Sequence, residues 1–320
     1  MQAYYLHGPR DLRPTDMDPP RPAADEVLVK VRATGLCGSD LHYYLHGQNG
    51  PFVPERPFIL GHESAGEIID AGACADALPP GSRVAIDPSH PCRICAHCIG
   101  GRYNLCPHMR YFGSAACSPP QDGSFREIVP IRAENCHPIP DDMAFAEAAL
   151  LEPLAIALHG VGQAQPIAGR RLLITGAGPI GQLIGLVARH YGAAHLAVSD
   201  IRGDALDLAA APGAPLSLAW TRYPSMTTPR YGHAAAVLRG LIYAAGGQAA
   251  NNNNLASVER FDGGAHSTWA LVASMGTARY YFALVALEEG GPSHHGGMLV
   301  AAGGAGKSAE AYDPVADKWA

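Results

Sequence analysis

The chain has 320 residues, 48% of them hydrophobic, which is long enough for two domains that each bury a core. Its 23 Lys and Arg stand against 29 Asp and Glu, a net charge of −6 without any basic run, which argues against a nucleic-acid or anionic-membrane surface and favours small molecules or other proteins. The N-terminal MQAYYLHGPRDLRPTD lacks a charged-then-apolar signal pattern, and the most apolar later stretch, 172–192, carries five glycines plus Arg189 and His190, so a soluble cytoplasmic protein is expected.

Residues 26–35, EVLVKVRATG, alternate apolar and polar with the period of a half-buried strand. Short strands punctuated by Gly and Pro continue to about residue 145, so this region reads as predominantly β. All eight cysteines lie at or before Cys136. Four of them, Cys92, Cys95, Cys98 and Cys106, follow C-x2-C-x2-C-x7-C, a spacing that lets thiolates converge on one tetrahedral zinc. Four sulfurs would close the shell, making the site structural and not reactive. His97 and His108 lie nearby but are unnecessary as ligands. A second, dispersed set joins Cys37 in GLCGSDLHYY, His62 and Glu63 in LGHESAG, and Glu152 in LLEPLA. Cys, His and carboxylate make a three-ligand zinc set with an open position for water or substrate, although by spacing alone each residue is as readily structural.

From residue 142, DMAFAEAALLEPLAIALHGVG has helical spacing interrupted by Pro153, a connecting segment. RRLLITGAGPIGQLIGLVARHYGAAHLAVSD then reads as one βαβ unit. Gly176, Gly178 and Gly181 form G-x-G-x-x-G around Pro179 and Ile180, with a strand before, a helix after, and Asp200 closing the next strand 24 residues past Gly176. The first glycine permits the tight turn, the second lets a pyrophosphate approach the backbone, and the third allows close helix-to-strand packing. Asp200 would accept both ribose hydroxyls and repel a 2′-phosphate, favouring NAD over NADP, with Arg202 softening the preference; the alternative for Asp200 is a helix N-cap.

The next helix, begun by GDALDLAAAPGA, is stopped by Pro212 and Gly213, and no further strand and helix alternation follows. The chain then repeats itself. Trp220, Trp269 and Trp319 are 49 and 50 residues apart, Met226 and Met275 follow their tryptophans by six, and Arg230 and Arg279 follow by ten. The copies continue in step through Gly246-Gly247 and Gly303-Gly304, Glu259 and Glu310, and the aromatic-Asp pairs Phe261-Asp262 and Tyr312-Asp313, with an inserted EEGGPSHH at 288–295 in the second.

Residues 1 to about 210 resemble the zinc-dependent medium-chain dehydrogenases, and within them the sorbitol and L-idonate dehydrogenase branch, through EVLVKVRATGLCGSDLHYY, PFILGHESAGEI, GSRVAIDPSHPC, MRYFGSA and EPLAIALHGV. The resemblance implies two zinc ions per chain and NAD. Cys37, His62 and Glu63 would be the catalytic-zinc ligands, Glu152 a fourth or exchangeable one, and Cys92, Cys95, Cys98 and Cys106 the structural-zinc ligands. Ser39 would take the substrate proton, His42 pass it toward solvent, and Asp40 orient His62. The resemblance stops near Ala214, short of the strands that hold the nicotinamide end in those enzymes. Beyond it the chain resembles kelch repeats, each a four-stranded propeller blade; propellers typically need about four to eight blades to close.

The expected architecture is mixed: a GroES-like zinc-binding catalytic β domain over 1–145, a linker helix and partial Rossmann α/β NAD-binding unit over 146–214, and two antiparallel four-stranded kelch blades over 215–320, an incomplete propeller. The implied function is zinc-dependent, NAD-linked oxidation of a secondary alcohol of a polyol or sugar acid, L-idonate before sorbitol, to the ketone. The alternatives are a catalytically inactive zinc-binding scaffold with kelch-mediated protein binding, and a join of two incomplete coding sequences at 209–226. Unclosed blades expose apolar faces and strand edges, so residues 220–320 are expected to be poorly stable alone, to self-associate, or to close only with other chains.

Overall fold

The computed structural model describes residues 1–74, 78–200, 202–210, 221–222, 224–249, 251, 253–263, 267–280, 282–287, 297–304 and 308–320, with 210, 221 and 222 as backbone alone. Trp220, the helix stop at Pro212 and Gly213, the limit near Ala214 and the 288–295 insertion lie outside the described residues. The chain divides into two compact units, residues 1–159 and 160–320.

The first unit is built on antiparallel strands. The alternating stretch forms β3 (Glu26–Thr34), which sits between β5 (Ser64–Asp70) and β9 (Ile128–Arg132), after β1 (Gln2–Gly8), β2 (Asp11–Asp16) and β4 (Phe58–Ile59) are numbered in chain order. With β6 (Arg83–Ile86) and β10 (Cys136–Pro138) the five-stranded order is β10-β6-β5-β3-β9, while β7 (Ser89–His90) and β8 (Arg110–Tyr111) form a separate two-stranded antiparallel pair at the two ends of the cysteine-rich lobe. Val27 pairs with Ile131 and Val29 with Val129, and these β-branched residues join Ile68, Val84 and Ile86 in a dry core. A second sheet, β2-β1-β4, carries Leu6 and Phe58 into a smaller cluster with Tyr43.

Helix α1 (Gly38–His46) starts at Cys37, whose backbone N–H is accepted by Asp40 Oδ2 at 3.0 Å, and ends at Gly47 in left-handed backbone. A short α2 (Ala96–Ile99) lies in the cysteine-rich lobe. The connecting segment is two helices, α3 (Phe145–Ala149) and α4 (Leu151–Gln163). The break falls at Leu150, and Pro153 sits in the first turn of α4, where its missing N–H has no intrahelical partner to lose.

In the second unit β11 (Arg171–Thr175), α5 (Pro179–His190), β12 (His195–Ser199) and α6 (Gly203–Ala210) follow the expected order. One face of the parallel β11-β12 pair sends Ile174 and Val198 against Ile184, Ala205 and Leu206. The sequence pattern shows no third strand for this sheet, and here the structure differs: β13 (Thr221–Arg222) pairs in parallel with Ala197 and Val198. Two residues are too few to display a period, yet they satisfy the open edge of β12.

The repeats form two four-stranded antiparallel meanders, β14 (Ala234–Leu238), β15 (Leu241–Ala245), β16 (Val258–Phe261) and β17 (Ala270–Val272), then β18 (Phe282–Leu287), β19 (Met298–Gly303), β20 (Ala309–Asp313) and β21 (Lys318–Trp319). The repeated residues do the same work in each. Arg230 donates to Glu259 at 2.7 Å and Arg279 to Glu310 at 2.9 Å, with further bonds to Gly246 O and Gly303 O. Trp269 Nε1 donates to Pro224 O and Trp319 Nε1 to Ala273 O, each at 2.9 Å. Ile242 and Phe261 of the first meander meet Leu173 on the second face of the parallel sheet, and Thr175 Oγ1 lies 3.1 Å from His233 Nε2. Among the described residues no helix is long and apolar enough to cross a membrane.

Candidate metal and cofactor sites

Cys37 at the start of α1 and the His62-Glu63 pair leading into β5 are far apart in sequence but share one point of the first unit. Their ligand atoms all lie within 4.8 Å of one another, with His62 and Glu63 buried. Asp40, 1% exposed, ties the two segments together by accepting from Cys37 N and Gly61 N, each at 3.0 Å. Its oxygen is 3.9 Å from His62 Nδ1, an ionic contact too long for a hydrogen bond, so Asp40 positions the loops of both ligands. Gly35 is required by packing: a Cβ there would lie 2.1 Å from Glu63 Oε2.

Burial alone would lower the His62 imidazole, yet the Cys37 thiol beside it and the Asp40 and Glu152 carboxylates hold it at about 9. A pocket that draws a proton onto a buried imidazole is short of positive charge, and His62 Nδ1 has no hydrogen-bond partner. A divalent cation answers both, and the sulfur, nitrogen and oxygen donors suit zinc. Glu152 stands outside the set of mutually close ligand atoms and instead accepts a hydrogen bond from Tyr111 Oη, while its charge still acts on His62 and Glu63. Tyr111 lies edge-on to His62 at 5.7 Å between centroids, and burial with Glu152 keeps its hydroxyl protonated well above the usual range. Sequence reasoning missed this tyrosine; its sole trace was its place inside MRYFGSA. Ser39 and His42 stand three residues apart on α1, just past Cys37.

Cys92, Cys95, Cys98 and Cys106 converge as their spacing implies, and none is in a disulfide. Cys92 Sγ lies 4.0 Å from Cys98 Sγ, and Cys95 Sγ 4.0 Å from Cys106 Sγ. Four sulfurs about 2.3 Å from one zinc would be about 3.8 Å apart, so the cluster fits the ion with a small contraction. Backbone N–H groups of Ile94 and Cys95 draw the Cys92 thiol down to about 6, whereas burial and the neighbouring thiols push Cys98 up.

In the second unit Gly176 has φ 110° and Gly178 caps α5 with Pro179 at the first helical position, while Ile180 is exposed. Gly181 admits no side chain, since a Cβ would fall 1.8 Å from Gly176 O. Asp200 accepts from Ala177 N at 2.7 Å through one oxygen and from Arg202 N at 2.8 Å through the other. Asp200 is not the N-cap of α6, which starts at Gly203; it braces the glycine turn and the approach to α6 through one backbone donor on each oxygen, leaving each oxygen further acceptor capacity.

Residues 23–141 match the alcohol dehydrogenase GroES-like domain, and residues 229–276 match the Kelch motif. Sorbitol dehydrogenase of Bacillus subtilis (strain 168) is 39% identical over 214 residues, 67% of this chain and 60% of that protein. The solved L-idonate 5-dehydrogenase of Escherichia coli str. K-12 substr. MG1655 has a TM-score of 0.59 at 36% identity, covering 64% of this chain and 59% of that one. A short chain alcohol dehydrogenase (rspB) of E. coli CFT073, solved with NADH, has a TM-score of 0.62 at 33% identity, covering 72% and 64%. The chain therefore spans about 60% of the length of the sorbitol dehydrogenase it matches. Its N-terminal part carries a GroES-like domain homologous to polyol dehydrogenases, and its C-terminal part carries a Kelch motif.

Proposed function

We propose that the chain is a zinc-dependent, NAD-linked oxidoreductase that converts a secondary alcohol of a polyol or sugar acid, L-idonate before sorbitol, to the ketone. The observation that carries this reading is the convergence of Cys37, His62 and Glu63 within 4.8 Å, on a domain homologous to dehydrogenases. When bound, zinc supplies a Lewis acid for the substrate hydroxyl and NAD a hydride acceptor.

Ser39 accepts the hydroxyl proton and His42, one turn further along α1, passes it toward solvent. Burial and the neighbouring His46 lower the His42 imidazole, leaving it neutral and able to accept at neutral pH. Glu152, held by Tyr111, acts as the fourth or exchangeable ligand. The turn from Gly176 through Gly178, Pro179 and Ile180 to Gly181 receives the pyrophosphate at the N-terminus of α5, and Asp200 accepts the ribose hydroxyls through its free lone pairs. Cys92, Cys95, Cys98 and Cys106 hold a second zinc.

The test is NADH formation from L-idonate and sorbitol, with metal analysis of the same preparation. Cys37→Ala is expected to abolish turnover and remove one of two zinc ions. A soluble two-zinc protein without turnover would assign the chain to a zinc-binding scaffold whose Kelch motif binds protein. One observation favours that second reading: among the described residues the parallel sheet has the order β11-β12-β13, with β11 at an edge. A dinucleotide is held where the strand order reverses, and an edge strand provides no such crevice.

A further inference from the structure

A zinc site that reacts differs from one that only holds a chain together in its protein ligands: a reactive site keeps a position open, and a structural site closes the shell. Around His62 the candidate donors are divided. Cys37, His62 and Glu63 have converged, whereas Glu152 is absent from the set of mutually close ligand atoms. Its carboxylate is nevertheless near enough for its charge to act on both His62 and Glu63. It is held by a hydrogen bond that Tyr111 Oη donates to Glu152 Oε1.

The two ends of that bond differ in stiffness. Tyr111 pairs with Ser89 in the β7-β8 ladder, and its ring stands edge-on to His62 at 5.7 Å between centroids. The next residue, Phe112, is 1% exposed in the core of the first unit. Glu152 is half-buried in the first turn of α4, on a side chain of several rotatable bonds. The tyrosine is therefore the fixed post, and the carboxylate is the part that can move. A phenol that gives its only proton to a carboxylate oxygen both occupies that oxygen and fixes its direction.

We propose that Tyr111 is a positioning residue that holds Glu152 off the metal and so keeps a position open for substrate, a role that rests on the reading of Cys37, His62 and Glu63 as zinc ligands. Glu152 exchanges onto the metal only when the bond from Tyr111 is broken, and the site then passes from the open to the closed kind. The sign of one measurement separates this role from structural support. Removing a partner that merely orients a ligand weakens metal binding by about 10–100-fold. Removing one that withholds a ligand strengthens it.

The experiment uses the full chain with the four-cysteine zinc retained. Cobalt(II) is titrated in against a chelator, the site is followed by the absorption that Cys37→Ala removes, and thiocyanate is then added to the loaded protein. Tyr111→Phe, which keeps the ring, should bind cobalt about tenfold more tightly and thiocyanate about tenfold more weakly than wild type. In a Glu152→Gln background, where the withheld ligand is gone, the same substitution should change neither constant. Cobalt binding that is unchanged or weaker in Tyr111→Phe, or that tightens equally with Glu152→Gln present, overturns the proposal and leaves the zinc reading standing. A wild-type chain without the Cys37-dependent absorption overturns both.

Discussion

The Arg230-Glu259 pair shows how a few residues fix a repeat. Both side chains are fully buried, and the carboxylate also accepts from Thr227 and from the backbone N–H of Thr228. Burial pushes the Glu259 carboxyl up, but the Thr227 hydroxyl, Arg230 and the two backbone donors outweigh it and leave it below the ordinary 4.5. A depressed carboxyl gives stability that is fully present above its unfolded value and is lost as pH falls through the folded one, so this contribution fades below about pH 4.5. Removing one member of a buried pair strands the other, at about 3–5 kcal/mol. Glu259→Ala should therefore lower the urea midpoint read by tryptophan fluorescence, and Glu259→Gln, which keeps an acceptor, should cost roughly 1–3 kcal/mol and flatten the acid limb of the pH profile. Unchanged midpoints in both would show that the pair contributes nothing. The sequence displayed the periodic Arg and Glu, but that one grips the other depends on strand register across 29 and 31 residues, which no local pattern contains.

At the level of elements, the turn entering α5 was legible because its constraint is local: three glycines within six residues answer to one backbone path. Gly181→Ala forces a methyl against Gly176 O at 1.8 Å, and the turn must open. The expected outcome is a loss of about 1–3 kcal/mol in thermal unfolding together with loss of NAD binding by calorimetry. Retention of both would mean that the turn is not the cofactor cradle. The four-cysteine lobe was equally legible from spacing. Glu152 was less so, because its environment is set by Tyr111, which reaches it from β8, 41 residues earlier.

Across the whole molecule, chemistry-bearing residues are partitioned. All eight cysteines fall in the span of the first unit and all three tryptophans in that of the second. The lobe around α2 exposes Ile94, Ile99 and Leu105, so under the proposed function the second zinc would do there what a core does elsewhere. Chelation with EDTA should lower a far-UV transition assigned to the first unit and leave the tryptophan midpoint in urea unchanged. A matching shift in the tryptophan signal would show that the units unfold as one.

β13 supplies the remaining lesson. Thr221 and Arg222 stand 49 residues before Ala270 and Leu271, the phase at which β17 runs antiparallel along β16, yet β13 runs parallel along β12. The same rung of the repeat thus serves two ladders of opposite sense. A strand's peptide edge does not record which fold it came from; it asks for a neighbour with unpaired amides and carbonyls at the right height. Thr221 and Arg222 meet that request at the open edge of β12, so a strand that keeps the phase of one architecture completes a sheet of another.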